Sequence, residues 1–301
     1  MLQTFDGDAL TRVASRDLSD ALEDGKIIFF PRCPFDLPSP QDLEFLKEQL
    51  PAHLDRKNVS YYPTDDRLVG LGAGSEVAHR ARAILRGHAD RVQTFLRARM
   101  PEFTRGWTVG TTSFRPLQEK GRRLSAHASN ERVHIDAGAY GATHGKRILR
   151  FFVNVNPVED RVWATRGTFI DVLSRHGHAA GIVPPYPLAQ GPWDRGRSRA
   201  LGALERWGVS RARMIDSSPY DRLMRRLHNF MKDDPGFRDG HDGYQQISFP
   251  PFSAWAVLTD GVSHACLSGQ HALVDTFLIA LESCHRPEQS PYQVLQRGLD
   301  A

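Results

Sequence analysis

The segment Val133-His134-Ile135-Asp136-Ala137 places an imidazole and a carboxylate two residues apart. In an extended chain residues i and i+2 point to the same side, so His134 and Asp136 can approach one cation together. A distant second histidine would complete a two-histidine, one-carboxylate facial set, the donor pattern suited to non-haem Fe(II). Three protein ligands leave open positions for a co-substrate and O2. A second His-x-Asp, Gly87-His88-Ala89-Asp90, fails the same test. It sits in a strongly helical stretch, where i and i+2 diverge by about 200°. His88 is therefore expected to be structural. The expected third ligand is His264, in Thr259-Asp260-Gly261-Val262-Ser263-His264. It follows the strand Ala254–Leu258 and an Asp-Gly turn of hairpin type, and opens the next strand. His176 and His178 have no nearby carboxylate, and His241-Asp242 has the wrong spacing.

A site of this kind can take 2-oxoglutarate as co-substrate, whose far carboxylate needs a buried, fixed cation. The stretch after His264, Gln270 to Thr276, holds no Lys or Arg. The strand Arg147-Ile-Leu-Arg150-Phe-Phe-Val-Asn154 offers two arginines. Period-two alternation sets Arg150, Phe152 and Asn154 on one face and Arg147 on the other. An arginine inside so apolar a strand must be paired. Arg150 is the first expected anchor and Arg115, on the strand Thr111–Arg115, the second.

These residues need a scaffold of strands. The Trp107–Phe114, Ile148–Val155, Gln246–Phe249, Ala254–Leu258, His264–Leu267 and Ala272–Leu278 stretches have strand texture. Ahead of them, 8–24, Ser39 to about Leu50 and 75–99 read as helices, with a short strand at Lys26–Phe30. Ser75 is the expected N-cap of the longest helix. Further helical patterns near 198–207 and 219–232 interrupt the strands. Helices first, then strands with one insertion, exclude a doubly wound parallel sheet and fit an antiparallel jelly roll. One catalytic domain over 1–301 is expected. Residues 1–105 would be its mainly helical part, 106–165 and 245–282 its β core, and 166–244 an insertion acting as lid or substrate region.

The chain has 301 residues, 40% apolar and 25% charged, enough for a sizeable core without disulfides. Three scattered cysteines (Cys33, Cys266, Cys284) are expected to be reduced thiols of a cytoplasmic protein, and their spacing builds no zinc site. No apolar run is long enough to cross a bilayer, and no secretory signal is read. The net charge of +4 conceals an asymmetry. Residues 1–50 carry ten Asp/Glu against five Lys/Arg, whereas 195–226 carry nine arginines against three acids. Such a cluster suits an anionic partner. Trp193, Trp207 and Tyr220 lie near it, but no recognised nucleic-acid module accompanies them, so no nucleic-acid partner is expected.

His134-Ile-Asp136-Ala, Gly145-Lys-Arg-Ile-Leu-Arg150, Phe152-Val-Asn-Val-Asn-Pro157, Arg161-Val-Trp163, Phe249-Pro-Pro-Phe-Ser-Ala-Trp255 and Asp260-Gly-Val-Ser-His264-Ala-Cys-Leu-Ser-Gly-Gln270 together resemble the Kdo hydroxylase family. Asp24-Gly-Lys-Ile-Ile-Phe-Phe-Pro31 is similar too, so the resemblance covers most of the chain. It implies an α+β fold with a double-stranded β-helix (cupin-like) core and an Fe(II)/2-oxoglutarate/O2-dependent dioxygenase. The implied reaction hydroxylates C3 of 3-deoxy-D-manno-oct-2-ulosonic acid (Kdo) on lipid A. Its products would be D-glycero-D-talo-oct-2-ulosonic acid, succinate and CO2. His134, Asp136 and His264 take the metal roles; Arg150, Arg115 and Asn154 are expected at 2-oxoglutarate. Arg147, Arg195 and Arg197 are expected at the substrate. The partner would be a Kdo-containing lipid A precursor, met peripherally at the cytoplasmic face of the inner membrane. Two alternatives stay open: a 2-oxoglutarate oxygenase for another small-molecule or glycan substrate, and a non-catalytic metal- or sugar-binding barrel.

Overall fold

A computed structural model of the chain describes residues 1–299 except 73, 122–124, 126, 128, 139–140, 189–195 and 197–217, and except the side chains of 8 and 9. The strands β1 (Leu2–Thr4), β2 (Ile27–Phe30), β3 (Val59–Tyr62), β4 (Arg67–Val69), β5 (Thr108–Arg115), β6 (Arg147–Asn154), β9 (Ala254–Leu258) and β11 (Ala272–Ile279) form one sheet in the order β1-β2-β9-β6-β11-β5-β3-β4. Only the β1–β2 pair is parallel. A second, antiparallel sheet holds β7 (Arg161–Thr165), β8 (Gln245–Phe249) and β10 (Ala265–Ser268) in the order β10-β7-β8. The two sheets face one another as a double-stranded β-helix.

Alternation divides the large sheet between two cores. Leu149, Phe151 and Val153 of β6, with Ala254, Ala256 and Leu258 of β9, pack beneath the N-terminal helices. The next residues along, Phe152, Trp255 and Val257, point into the sandwich against Trp163 and Phe249 of the small sheet. The helices on the outer side include α1 (Gly7–Arg12), α2 (Ser15–Glu23), α3 (Pro40–Glu44) and α4 (Glu76–Arg99). Ser75 caps α4, its hydroxyl accepting from the Ala78 N–H at 3.1 Å. His88 of α4 is fully buried, with Nε2 3.1 Å from Asp275 Oδ2 on β11, and Thr112 donates to the other carboxylate oxygen. It is a core histidine, as its helical setting requires.

Three expectations shift. The helix expected over 8–24 is two helices, α1 and α2. The helix beginning at Ser39 ends at Glu44, continues as a π turn closed by Leu50 N–H to Phe45 O, and becomes 3-10 at Leu50–His53. Pro51 has no N–H to continue an α ladder. The Asp260-Gly261 segment is not a hairpin turn, because β9 and β10 belong to different sheets and the chain crosses between them. After β7, the insertion folds as α5 (Phe169–His176), α6 (Pro219–Asp233) and α7 (Pro235–Asp239), and α8 (Pro291–Arg297) closes the chain. These elements share an apolar cluster with Ile135, which sits between His134 and Asp136.

Candidate active site

The segment 130–136 runs beside β10 and forms one isolated antiparallel bridge with the residue just before it. His134 and His264 exchange backbone hydrogen bonds of 3.0 and 2.8 Å, and Cys266 N–H donates to Asn130 O. Asp136 N–H donates to Thr259 O at 2.9 Å, at the end of β9. These contacts bring the three expected metal residues together. One ligand atom from each of His134, Asp136 and His264 lies within 4.8 Å of the others, and His134 Nε2 is 3.7 Å from Asp136 Oδ1. His134 Nδ1 faces the Arg132 carbonyl at 2.8 Å and His264 Nδ1 the Val262 carbonyl at 3.0 Å. A carbonyl only accepts, so both Nδ1 atoms carry protons and both Nε2 atoms keep lone pairs for a metal.

The electrostatics agree. Burial lowers the pKa values of His134 and His264, keeping the rings neutral. Burial alone would raise Asp136, but the Arg150 guanidinium, with its Nη2 2.9 Å from Oδ2, holds it ionised.

Beside the ligands a cavity of about 70 Å3 runs into the sandwich, lined by Arg115, Arg150, Arg161, Asn130, Phe152 and Trp163 among others. Three arginines converge there from β5, β6 and β7. Burial, then the neighbouring Arg150 and Arg161, lower Arg115 to about 10. Glu119 is a shared counter-charge, 3.6 Å from Arg161 Nη2 and 4.0 Å from Arg115 Nη1. Five buried donors around the cavity nonetheless meet no acceptor: the Nε atoms of Arg115, Arg150 and Arg161, Arg161 Nη2, and Trp163 Nε1. Buried N–H groups are nearly always satisfied, so these donors are free to take an acceptor-rich anion.

The sequence model of the 3-deoxy-D-manno-oct-2-ulosonic acid (Kdo) hydroxylase family matches residues 7–301. The chain belongs to the Kdo hydroxylase family. Its fold is that of a solved Kdo hydroxylase, KdoO, described as a non-haem Fe(II) α-ketoglutarate-dependent dioxygenase. The apo KdoO structure superposes with a TM-score of 0.80 at 30% identity, over 98% of this chain and 94% of that one. KdoO with α-ketoglutarate and Fe(III) gives 0.80 at 29% over the same shares, and with cobalt(II) 0.80 at 30%. No curated protein sequence matches the chain. The chain is thus an enzyme of the Fe(II)/2-oxoglutarate dioxygenase class, and its donor set and arginine wall fit both groups.

In this Kdo hydroxylase family member Arg150 and Arg115 line the cavity with the ligands. Asn154 does not: its amide donates to Glu159 O and Phe249 O and accepts from Asn156 N–H, so it braces the strand end. Arg147 is corrected too. It lies on the helix side of the sheet, 2% exposed, its Nε 2.6 Å from Asp260 Oδ2, and is a buried ion pair rather than a substrate contact. Arg195 and Arg197 lie outside the described residues. Sequence reasoning missed Arg161 as a wall residue, although the alternation of β7 sets Arg161 and Trp163 on one face. It also missed His228 of α6, whose ring centroid is 5.1 Å from that of His134.

Proposed function

We propose that the chain hydroxylates C3 of Kdo on a lipid A precursor, giving D-glycero-D-talo-oct-2-ulosonic acid with succinate and CO2. The observation that carries this reading is the pairing of a two-histidine, one-aspartate set with a pocket whose five buried donors lack acceptors, in a chain of this family. His134, Asp136 and His264 would hold Fe(II), and Arg115, Arg150 and Arg161 would receive a carboxylate of 2-oxoglutarate. With O2, the bound metal supplies redox chemistry that couples decarboxylation of 2-oxoglutarate to hydroxylation of the acceptor.

The protein's own part is orientation, charge and dryness. The carbonyls of Arg132 and Val262 lock both imidazole tautomers. Arg150 compensates Asp136, so the site keeps a carboxylate ligand in buried surroundings. Trp163 lies along the His264 ring, with centroids 5.2 Å apart, and with Phe152 screens the pocket from water.

In this reading the insertion 166–244 is the substrate side. Of its arginine-rich stretch, Arg222, Arg225 and Arg226 sit exposed on α6. Guanidinium groups of this stretch meet the phosphates and carboxylates of the lipid and hold the enzyme by charge at the cytoplasmic membrane face. No helix among the described residues is long and apolar enough to cross a membrane. The test is an acceptor panel: purified protein, Fe(II), 2-oxoglutarate and O2 with Kdo, Kdo-lipid A, Kdo2-lipid A, or no acceptor. Succinate and an acceptor one oxygen heavier at C3 are expected with a lipid-linked form. Equal succinate with and without every Kdo acceptor would refute the reading.

A further inference from the structure

One imidazole of the insertion reaches the metal-binding segment without being a ligand. Helix α6 begins at a capping box, Ser218 with Asp221, and buries Tyr220, Met224, Leu227 and Met231 against α5, α7, α8 and Ile135. His228 stands at the edge of that face, half-buried. Its Nδ1 lies 2.7 Å from the carbonyl oxygen of Ile135, the residue between the two chelating side chains. The carbonyl accepts, so Nδ1 donates, and the opposite ring nitrogen, Nε2, presents a lone pair. One turn further on, Lys232 Nζ donates to His127 O and Ser129 O, so α6 grips the whole approach to the site.

The order of the rings separates the two flanks of the centre. Trp163 lies 5.2 Å from His264, His264 lies 4.6 Å from His134, and His134 lies 5.1 Å from His228. Trp163 and the arginines form one flank. His228 is at the other end of this series and does not line the arginine cavity. A neutral acceptor there is poorly matched to a carboxylate and well matched to a hydroxyl donor, the most abundant group of a sugar acid.

We propose that His228 Nε2 accepts a hydrogen bond from a hydroxyl of the sugar acceptor, and so sets which C–H bond faces the oxidising centre. This rests on the Kdo-hydroxylase reading above and assigns a positioning residue to it. The role differs from a structural one in the nitrogen it uses: Nδ1 holds Ile135, whereas Nε2 meets the acceptor.

His228→Asn separates them, because the Asn amide N–H can replace Nδ1–H towards Ile135 while nothing replaces Nε2. His228→Ala removes both. For the Asn variant, cobalt(II) and 2-oxoglutarate affinities and the melting temperature should stay at wild-type values. Affinity for Kdo-lipid A, measured anaerobically on the cobalt-loaded protein, should fall about five- to tenfold, the worth of one hydrogen bond in a pocket. Succinate formed per hydroxylated acceptor should rise above one, since a misplaced sugar lets co-substrate turnover run uncoupled. Wild-type acceptor affinity and coupling in His228→Asn would overturn the inference. Loss of cobalt binding in that variant would also overturn it, by showing a purely structural role. Failure of the wild-type protein to turn over any Kdo acceptor is a separate result, and removes the reading beneath the inference.

Discussion

Replacing Arg161 by methionine removes one guanidinium from the cavity wall while keeping much of the side-chain volume. Arg161 is 1% exposed, and two of its nitrogens, Nε and Nη2, have no acceptor. A carboxylate satisfying both would make two charge-assisted hydrogen bonds of about 1.5–3 kcal/mol each, so about 3–6 kcal/mol. The repulsion among the three arginines is present with and without the ligand and drops out of this difference. The loss of about 3–6 kcal/mol corresponds to roughly 10²- to 10⁴-fold weaker 2-oxoglutarate binding. The assay is anaerobic calorimetric titration of 2-oxoglutarate into cobalt-loaded protein, with a melting curve to show that the variant is folded. Glu119→Gln is the opposing control. It removes the shared counter-charge and leaves the arginines in place, so 2-oxoglutarate should bind as tightly as before or a few-fold tighter. A folded Arg161→Met protein binding 2-oxoglutarate within threefold of wild type would refute the anion-wall assignment. So would a Glu119→Gln variant that weakens binding as much as Arg161→Met does.

Two further outcomes test the scaffold. Asp260→Asn leaves Arg147 buried without its anion and should cost about 3–5 kcal/mol in urea denaturation, whereas pairing Arg147→Met with Asp260→Leu should recover most of it. In either case the acceptor KM of the folded enzyme should be unchanged, because Arg147 lies on the helix side of the sheet. The second concerns the C-terminal segment, tied to α2 through His285. Its Nδ1 is 2.9 Å from Asp20 Oδ1 and its Nε2 is 3.0 Å from Glu102 Oε2. The Asp20 bond foremost raises the His285 pKa, while Asp20 is lowered because its partners outweigh burial. The histidine contribution is therefore full below the ordinary imidazole value of about 6.5 and lost as pH rises through the raised one. The aspartate contribution fades below about pH 4. The stability gap between wild type and His285→Asn, about 1 kcal/mol near pH 6, should close towards pH 9. A gap that widens with pH would refute the tie.

The core was legible where local rules and tertiary demands coincide. The strands β5, β6, β9 and β11 carry runs of β-branched and aromatic residues, because they are buried towards the helices on one face and inside the sandwich on the other. The shortest strands were not. The strands β3 and β4 have four and three residues, too few to build a period. The helix α8 was within reach: Ser290-Pro291 starts it as Ser39-Pro40 starts α3, each serine accepting from the N–H three residues on.

At the site, the convergence of His134 with Asp136 was legible because its geometry is local. His134 and Asp136 need only an extended backbone, and His88 with Asp90 fail for an equally local reason, the helix. The arginines separate what parity can decide from what it cannot. Alternation along β6 correctly put Arg147 and Arg150 on opposite faces, and the same alternation along β7 sets Arg161 beside Trp163. Parity assigns a face and no partner. Arg147 is structural only because Asp260, 113 residues away, reaches back to it from the crossover between the sheets, where its local signature reads as a turn residue. Arg150, three residues on, reaches Asp136 instead. A buried strand arginine therefore reports that an anion exists, and only the fold says whether that anion is part of the chain or belongs to a ligand. In this chain Arg147 answers the first way through Asp260, whereas Arg115, Arg150 and Arg161 have chain carboxylates beside them and also keep unmatched donors facing one cavity, which the proposed function gives to 2-oxoglutarate.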